Sequence, residues 1–424
     1  MTEKAVMEEL RARGLFYQST DDESDDRPLQ KLLASKPVTY YCGFDPSAAS
    51  FTVGNLVSIM LLAHIQRCGH RPIAVVGGGT GMIGDPSGKT ELRQLLTMED
   101  VEKNLAAQKT QLDHYLDLTT DPDREPTKGF MVNNAEWLLE LNYVDFLREM
   151  GRHFSVNRML AAESVKLRME SESGLSFLEF NYSLLQAYDF VILNRRYDCE
   201  LQVGGSDQWG NIISGIDLLR RADGRSAHGL TAPLLMTASG QKMGKTEKGA
   251  VWLAPDRTSP YDFYQFWVNT DDRDIVQYLG IFTFLSVEEI AEYAKLEGAA
   301  IREAKSVLAY EATKITHGED EARKAQTAAK ALFMDGKPNM EGVPTWSVNS
   351  DRLASGVPAI ELATESKLCD SRNSARRLAR QGGLYVNGTS SPEDRVLNVD
   401  DIDDDGGILL RAGKKRYMRI VPEG

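Results

Sequence analysis

Tyr40-Tyr41-Cys42-Gly43-Phe44-Asp45-Pro46-Ser47, with Thr52-Val53-Gly54-Asn55 just beyond it, is the segment around which the rest of the chain is arranged. Val38 to Cys42 are apolar, aromatic or β-branched and read as a short buried strand. Gly43 lets backbone approach a ligand closely, and Asp45-Pro46 ends regular structure. Leu56, Ile59, Met60 and Ala63 then recur at helical spacing. A strand therefore ends in a polar loop, and a helix N-terminus points back across that loop. Such an N-terminus has unpaired N–H groups and partial positive charge, which suit a phosphate. An ordinary strand-to-helix connection fits the same residues, so this segment alone leaves both readings open.

The chain has 424 residues, enough for about three domains. Its hydrophobic content of 42% and charged content of 26% are those of a globular protein with a large core. A formal charge of -13 argues against a surface that coats nucleic acid, so an RNA partner must be met by a local basic patch. Cys42, Cys68, Cys199 and Cys369 lie far apart, without metal-ligand spacing or a disulfide framework. The start of the chain, Met1-Thr2-Glu3-Lys4, lacks the apolar run of a signal peptide, and no stretch is apolar enough to span a membrane. These features point to the cytoplasm.

Further along, strand and helix patterns alternate. Residues 2–16 read as a helix and Asp21 to Asp26 as an acidic loop. Strands are expected at Pro72–Val76, Phe130–Val132, Cys199–Val203 and about Leu230–Leu235, with helices over about 91–118, 135–150 and 175–193. This alternation predicts an α/β fold, a Rossmann-like parallel sheet with ligands at the strand C-terminal ends. We place that domain at 1–256, an α-helical domain at 257–334, a Gly- and Pro-containing linker at 335–356 and a small α+β module at 357–424.

Gly79-Thr80-Gly81-Met82-Ile83-Gly84 spells a dinucleotide fingerprint after a strand, with Asp100 in the position of its acidic residue. Pro86 stops a helix from running straight out of it, and a nicotinamide site is the minor reading. Gly88-Lys89-Thr90 fails as a phosphate-binding loop because Ile83 stands where that motif needs glycine. Lys242-Met243-Gly244-Lys245-Thr246 places two lysines in a loop between elements, where they can close over a triphosphate or form a solvated basic turn.

The order of these pieces resembles bacterial-type tyrosyl-tRNA synthetases, class I enzymes. The resemblance covers nearly the whole chain. It is carried by Tyr41–Pro46, Gly84-Asp85-Pro86-Ser87-Gly88, Leu185-Gln186-Ala187-Tyr188-Asp189-Phe190, Gly204-Gly205-Ser206-Asp207-Gln208-Trp209-Gly210-Asn211, and Ser259-Pro260-Tyr261 through Phe266-Trp267. It implies that Tyr41 and Asp189 hydrogen-bond the phenol hydroxyl of a tyrosine substrate. Phenylalanine would leave both groups unpaired, which is costly among apolar neighbours. Asp85, Asn134, Tyr182 and Gln186 would surround the substrate ammonium, and Gln208 its carboxylate. Tyr182, Gln186 and Asp189, spaced by four and three, share one helical face. The nucleotide side would comprise Gly43, Asp45, Ser47, Gly54, Gly205 and Asp207. Lys89, Arg93, Lys242, Lys245 and Thr246 would meet the leaving pyrophosphate.

By the same resemblance, the tyrosine carboxylate attacks the α-phosphorus of ATP in line, with magnesium carried on the triphosphate. The tRNA(Tyr) terminal ribose then takes the tyrosine. The chain departs from the family at Thr52 and Asn55, where histidines are usual. Asn55 keeps a hydrogen-bond donor, whereas Thr52 is too short to copy an imidazole; the lost contact would cost about 1–3 kcal/mol. Gly244 and Thr246 stand where the class-wide pattern has serines. The C-terminal segment resembles a small ribosomal-protein-like RNA-binding module. Arg372, Arg376, Arg377 and Arg380 recur on its helix, and Lys414 and Lys415 lie in a second basic stretch. A homodimer bridged by one tRNA is the family's expectation. No histidine has metal spacing. A synthetase-like RNA-binding protein without catalysis remains the alternative that Thr52 and Asn55 suggest.

Overall fold

The computed structural model describes residues 6–21, 28–85, 97–170, 174–240, 243–246, 249–334, 343–403, 406–413 and 416–423. They form two compact units, residues up to Thr258 with Thr270–Leu308, and Ser259–Asn269 with Ala309 onward.

The first unit is built on a six-stranded sheet. Its strands are β1 (Gln18–Ser19), β2 (Thr39–Phe44), β3 (Arg71–Val76), β4 (Phe130–Asn133), β5 (Cys199–Gly205) and β6 (His228–Ala232). Their spatial order is β1-β6-β5-β2-β3-β4, all parallel except the short antiparallel edge β1. Interior parallel strands are covered on both faces, which is why Pro72 to Val76 form an unbroken buried run rather than an alternating one. The chain moves from β2 toward β3 and β4, then returns to the other side of β2 with β5 and β6. The ends of β2 and β5 therefore flank a topological switch point, where a crevice opens.

Helices α1 (Val53–Arg67) and α3 (Tyr182–Tyr197) line that crevice; α2 (Met98–Leu112) braces its loop, with Gln108 Nε2–H donating to Asp45 O at 3.3 Å, and α4 (Trp209–Asp223) packs on α3. Helix α3 carries Leu184, Ala187, Phe190, Val191 and Leu193 into a core with Tyr41, Ile73, Val75 and Phe130. It packs on α4 and ends at Asp198, whose left-handed backbone (φ 49°) closes the helix with an N–H to Asn194 O. The helix Ile275–Phe282 packs on α1 in this unit, although the sequence places it in a separate helical domain at 257–334. Ile275, Leu279, Ile281 and Phe282 are buried, so its apolar face serves the first core.

In the second unit, helices Pro260–Val268 and Glu319–Met334 pack together. A five-stranded sheet follows, in the order Thr389–Ser390, Leu384–Val386, Ile408–Ala412, Arg416–Glu423, Thr345–Asn349. Thr345–Asn349 falls in the expected linker 335–356, yet it runs parallel to Arg416–Glu423 as the edge strand. Its flanking Pro, Ser and Asn look like loop residues, and only the long-range pairing makes it a strand. Val348, Leu353, Leu362, Leu384, Ile408 and Ile420 form this module's core. No helix among the described residues is long and apolar enough to cross a membrane.

Candidate active site

A cavity of about 310 Å³ opens at the carboxyl ends of β2, β3 and β5. Its floor is the end of β2. Tyr41 is 1% exposed, and its hydroxyl has no hydrogen-bond partner among the described residues. The ring packs edge-on against Phe190 at 5.2 Å. Asp189 enters from α3, 4% exposed. Trp137 Nε1–H donates to its Oδ1 at 2.8 Å, and Asn134 Nδ2–H donates to its Oδ2 at 3.0 Å. Burial pushes the Asp189 carboxyl up to about 7, although both donors pull it down. Burial first, and the neighbouring Asp189 second, raise the Tyr41 phenol well above its ordinary value. The floor thus offers a neutral hydroxyl beside a carboxyl whose ionisation burial disfavours.

Asn134 is itself fixed. Its Oδ1 accepts from Gly79 N–H at 2.8 Å, and its Nδ2 also donates to Thr80 Oγ1 at 3.0 Å. The glycine-rich turn after β3 is therefore spent on building this wall. A Cβ on Gly78 would lie 2.1 Å from Asn133 Oδ1, and Thr80–Met82 form a single 3-10 turn. These contacts account for the dinucleotide-like spelling without a nicotinamide.

A second polar group lines the opposite side. Gln208 Nε2–H donates to Asp85 Oδ2 at 2.8 Å, and its Oε1 accepts from Gln186 at 3.3 Å and Asn211 at 3.2 Å. Tyr182 and Gln186 project from α3 on the face that carries Asp189, so every residue expected at the amino-acid end lines the one cavity. Gly43, Asp45, Ser47, Gly54, Gly205 and Asp207 line it as well. Cys42, Gln202 and Met243 also contribute; burial pushes the Cys42 thiol up to about 12.

Asn55 lines the cavity, but Thr52 does not. The Thr52 N–H and Oγ1–H both donate to Asn55 Oδ1, each at 2.9 Å. The two residues in the histidine positions thus brace the start of α1, and the Thr52 hydroxyl is turned onto Asn55. That leaves the Asn55 amide N–H₂ as the polar donor beside the cavity. The loop from Met243 lies over this same helix start. Val53 N–H donates to Val251 O at 2.9 Å, and Met243 N–H donates to Leu235 O at 3.0 Å. Gly244 has φ +85°, and a Cβ there would sit 2.6 Å from Gly54 N, so only glycine permits the approach. Lys245–Thr246 pairs antiparallel with Gly249–Ala250. Lys89, Arg93, Lys242, Lys414 and Lys415 lie outside the described residues. No Lys or Arg lines the cavity among the described residues, whereas Asp45, Asp85, Asp189 and Asp207 do.

Trp137 was not foreseen from the sequence. It stands three residues after Asn134 on the short helix Ala135–Leu138, and a lone tryptophan reads as core. The basic helix Arg372–Arg380 does present Arg372, Arg376 and Arg377 to solvent, with Ala375 and Ala379 buried beneath.

The chain is similar to known proteins in sequence and in fold. The family model for class I tRNA synthetases (W and Y) matches residues 33–334. A tyrosine–tRNA ligase of Desulfatibacillum aliphaticivorans is 52% identical, over 98% of this chain and 98% of its own. One from Clostridium tetani is 47% identical over 99% of each chain. Among solved structures, a C-terminally truncated mitochondrial tyrosyl-tRNA synthetase of Aspergillus nidulans aligns with a TM-score of 0.67 and 31% identity, over 78% of this chain and 94% of that one. The tyrosyl-tRNA synthetase of Archaeoglobus fulgidus complexed with L-tyrosine shares the fold, with a TM-score of 0.54 and 19% identity over 76% of this chain and 99% of that one. Full-length similarity of this order, joined to a cavity at the switch point of the predicted sheet, leads to one family: the chain belongs to the class I tRNA synthetases of the tryptophan and tyrosine group, and within it to the bacterial-type tyrosyl-tRNA synthetases.

Proposed function

We propose that the chain is a tyrosine–tRNA ligase, which activates L-tyrosine with ATP and transfers it to the 3′-terminal ribose of tRNA(Tyr). One observation carries this reading: the unpartnered, buried Tyr41 hydroxyl beside an Asp189 carboxyl held by Asn134 and Trp137. A buried polar group without a partner is costly, so the site is completed by a ligand that brings a hydroxyl. A phenol does so, and apolar side chains such as Val75 line the same cavity for its ring.

The remaining roles are those that the family resemblance gives to these positions. Asp85, Asn134, Tyr182 and Gln186 receive the ammonium group, and Gln208 faces the carboxylate. Gly43, Asp45, Ser47, Gly54, Gly205 and Asp207 lie along the ribose and α-phosphate. The carboxylates that line the cavity suit an ammonium and ribose hydroxyls, but not a triphosphate. Lys89, Arg93, Lys242, Lys245 and Thr246 therefore neutralise the phosphates, which enter as the magnesium complex of ATP, the substrate. Asn55 donates to the nucleotide, and Thr52 acts by holding Asn55. No protein nucleophile is needed; positioning and charge stabilisation perform the reaction.

Arg372, Arg376, Arg377, Lys414 and Lys415 hold the tRNA backbone. Leu139, Tyr143, Val144, Val156, Leu167 and Phe177 are exposed and concentrated in one stretch of the chain, which supports a homodimer. The enzyme works in the cytoplasm. Charging of a tRNA(Tyr) transcript with radiolabelled tyrosine tests the whole reading. Tight tRNA binding with neither adenylate nor charged tRNA would favour the non-catalytic alternative.

A further inference from the structure

The C-terminal module holds a groove of about 510 Å³ lined by Pro358, Ile360, Glu361, Arg372, Arg376, Glu393 and Asp394. Its arginines are not free. Arg380 Nη2–H donates to Glu393 Oε1 at 3.1 Å, and Arg376 Nε lies 3.6 Å from the same oxygen. On the other side, Arg372 Nη2–H donates to Glu361 Oε2 at 3.2 Å, while Glu361 Oε1 accepts from Arg352 at 2.6 Å. Glu393, Glu361 and Arg352 are half-buried, whereas Arg372, Arg376 and Arg380 are exposed. Pairing with Arg380 and Arg376 holds the Glu393 carboxyl below its usual range. Arg377, on the same helix, makes no ion pair among the described residues.

A carboxylate and a phosphate oxygen offer an arginine the same kind of acceptor. We propose that Glu393 and Glu361 occupy Arg372 and Arg376 of this groove, and Arg380 beside it, as internal stand-ins for RNA phosphates. An RNA strand must displace them to engage Arg372, Arg376 and Arg380. An RNA that engages these arginines bears the cost of the exchange, whereas an RNA attracted only by charge meets Arg377 and little else. A tRNA docked by the rest of the molecule supplies the contacts that offset the exchange. Glu393 therefore lowers the module's affinity for RNA, acting through arginines. This rests on the RNA-binding reading of the module proposed above.

Glu393→Gln in the full chain tests it, with Asp394→Asn as the control. Asp394 lines the same groove but makes no ion pair among the described residues, so the control changes net charge equally and frees no arginine. Binding of a tRNA(Tyr) transcript and of an unrelated tRNA transcript is measured against salt concentration. E393Q should tighten tRNA(Tyr) about threefold, as expected for release of an exposed ion pair, and tighten the unrelated tRNA by no more than that. The salt slope of the unrelated tRNA should steepen by about one counterion as it gains an arginine contact. D394N should change both affinities little. Equal effects of E393Q and D394N would reduce the role of Glu393 to bulk charge and overturn the proposal. Weaker binding of both RNAs in E393Q would overturn it too, since the carboxylate would then be orienting the arginines. Arg377→Ala separates the two layers: if it leaves affinity for every RNA unchanged, the RNA-binding reading of the helix fails, whatever Glu393 does.

Discussion

Removing the Tyr41 hydroxyl should have opposite effects on stability and on substrate binding. The hydroxyl is buried without a partner among the described residues, in a site that Phe190 and the strand core enclose. Leaving a polar group in that state costs about 1–3 kcal/mol. Tyr41→Phe removes the cost and opens only the volume of one oxygen, so the ligand-free protein should be as stable as the parent or up to about 1 kcal/mol more stable. The substrate phenol, in contrast, loses one hydrogen bond, worth about 0.5–1.5 kcal/mol, which weakens tyrosine binding about three- to tenfold. Thermal unfolding without ligand reads the first effect, and calorimetric titration with L-tyrosine the second. A variant that unfolds several degrees lower yet binds tyrosine normally would refute the reasoning, because the hydroxyl would then be serving the fold.

Further outcomes concern Asp189, the lysine loop and the C-terminal module. Asp189 titrates near 4 in an unfolded chain and near 7 in the fold, so between those values the unfolded state binds fewer protons; this site's contribution to stability falls as pH rises from about 4 to about 7 and is flat above. The ionised carboxylate is the stronger acceptor, so tyrosine affinity should rise through about pH 7, and Trp137→Phe, lacking one donor, should move that inflection upward by about one unit, measured as KM for tyrosine against pH. Lys245→Ala should slow single-turnover adenylate formation about a hundredfold while changing the tyrosine Kd little; equal loss in both would contradict a role confined to the transition state. A chain ending before residue 343 should keep adenylate formation and lose tRNA charging, whereas a cut at 357 should yield a less soluble product, because it leaves Thr345–Asn349 without Arg416–Glu423.

The sheet was legible because its strands are short apolar runs ending at glycine or Asp-Pro, and because helical spacing fills the gaps between them. Tyr182, Gln186 and Asp189 could be placed on one face from their intervals alone. What escaped the sequence is long-range. Trp137 reaches Asp189 across 52 positions, and a core tryptophan and a donor to a buried carboxylate look alike in one dimension. The edge strand Thr345–Asn349 is set by a partner some 70 positions away, so its Ser and Asn read as a linker. The sequence shows two histidines replaced at Thr52 and Asn55, but not that Asn55 Oδ1 accepts from both the N–H and the hydroxyl of Thr52 at a helix start. The acidic partners of Arg372, Arg376 and Arg380 come from neighbouring elements, and a helical wheel of arginines does not reveal them.

Tyrosine-dependent exchange of pyrophosphate into ATP, run beside phenylalanine at equal concentration, tests the phenol pocket most directly. Rapid exchange with tyrosine and none above background with phenylalanine is the predicted result. Comparable exchange with both amino acids, or none with tyrosine, would contradict it.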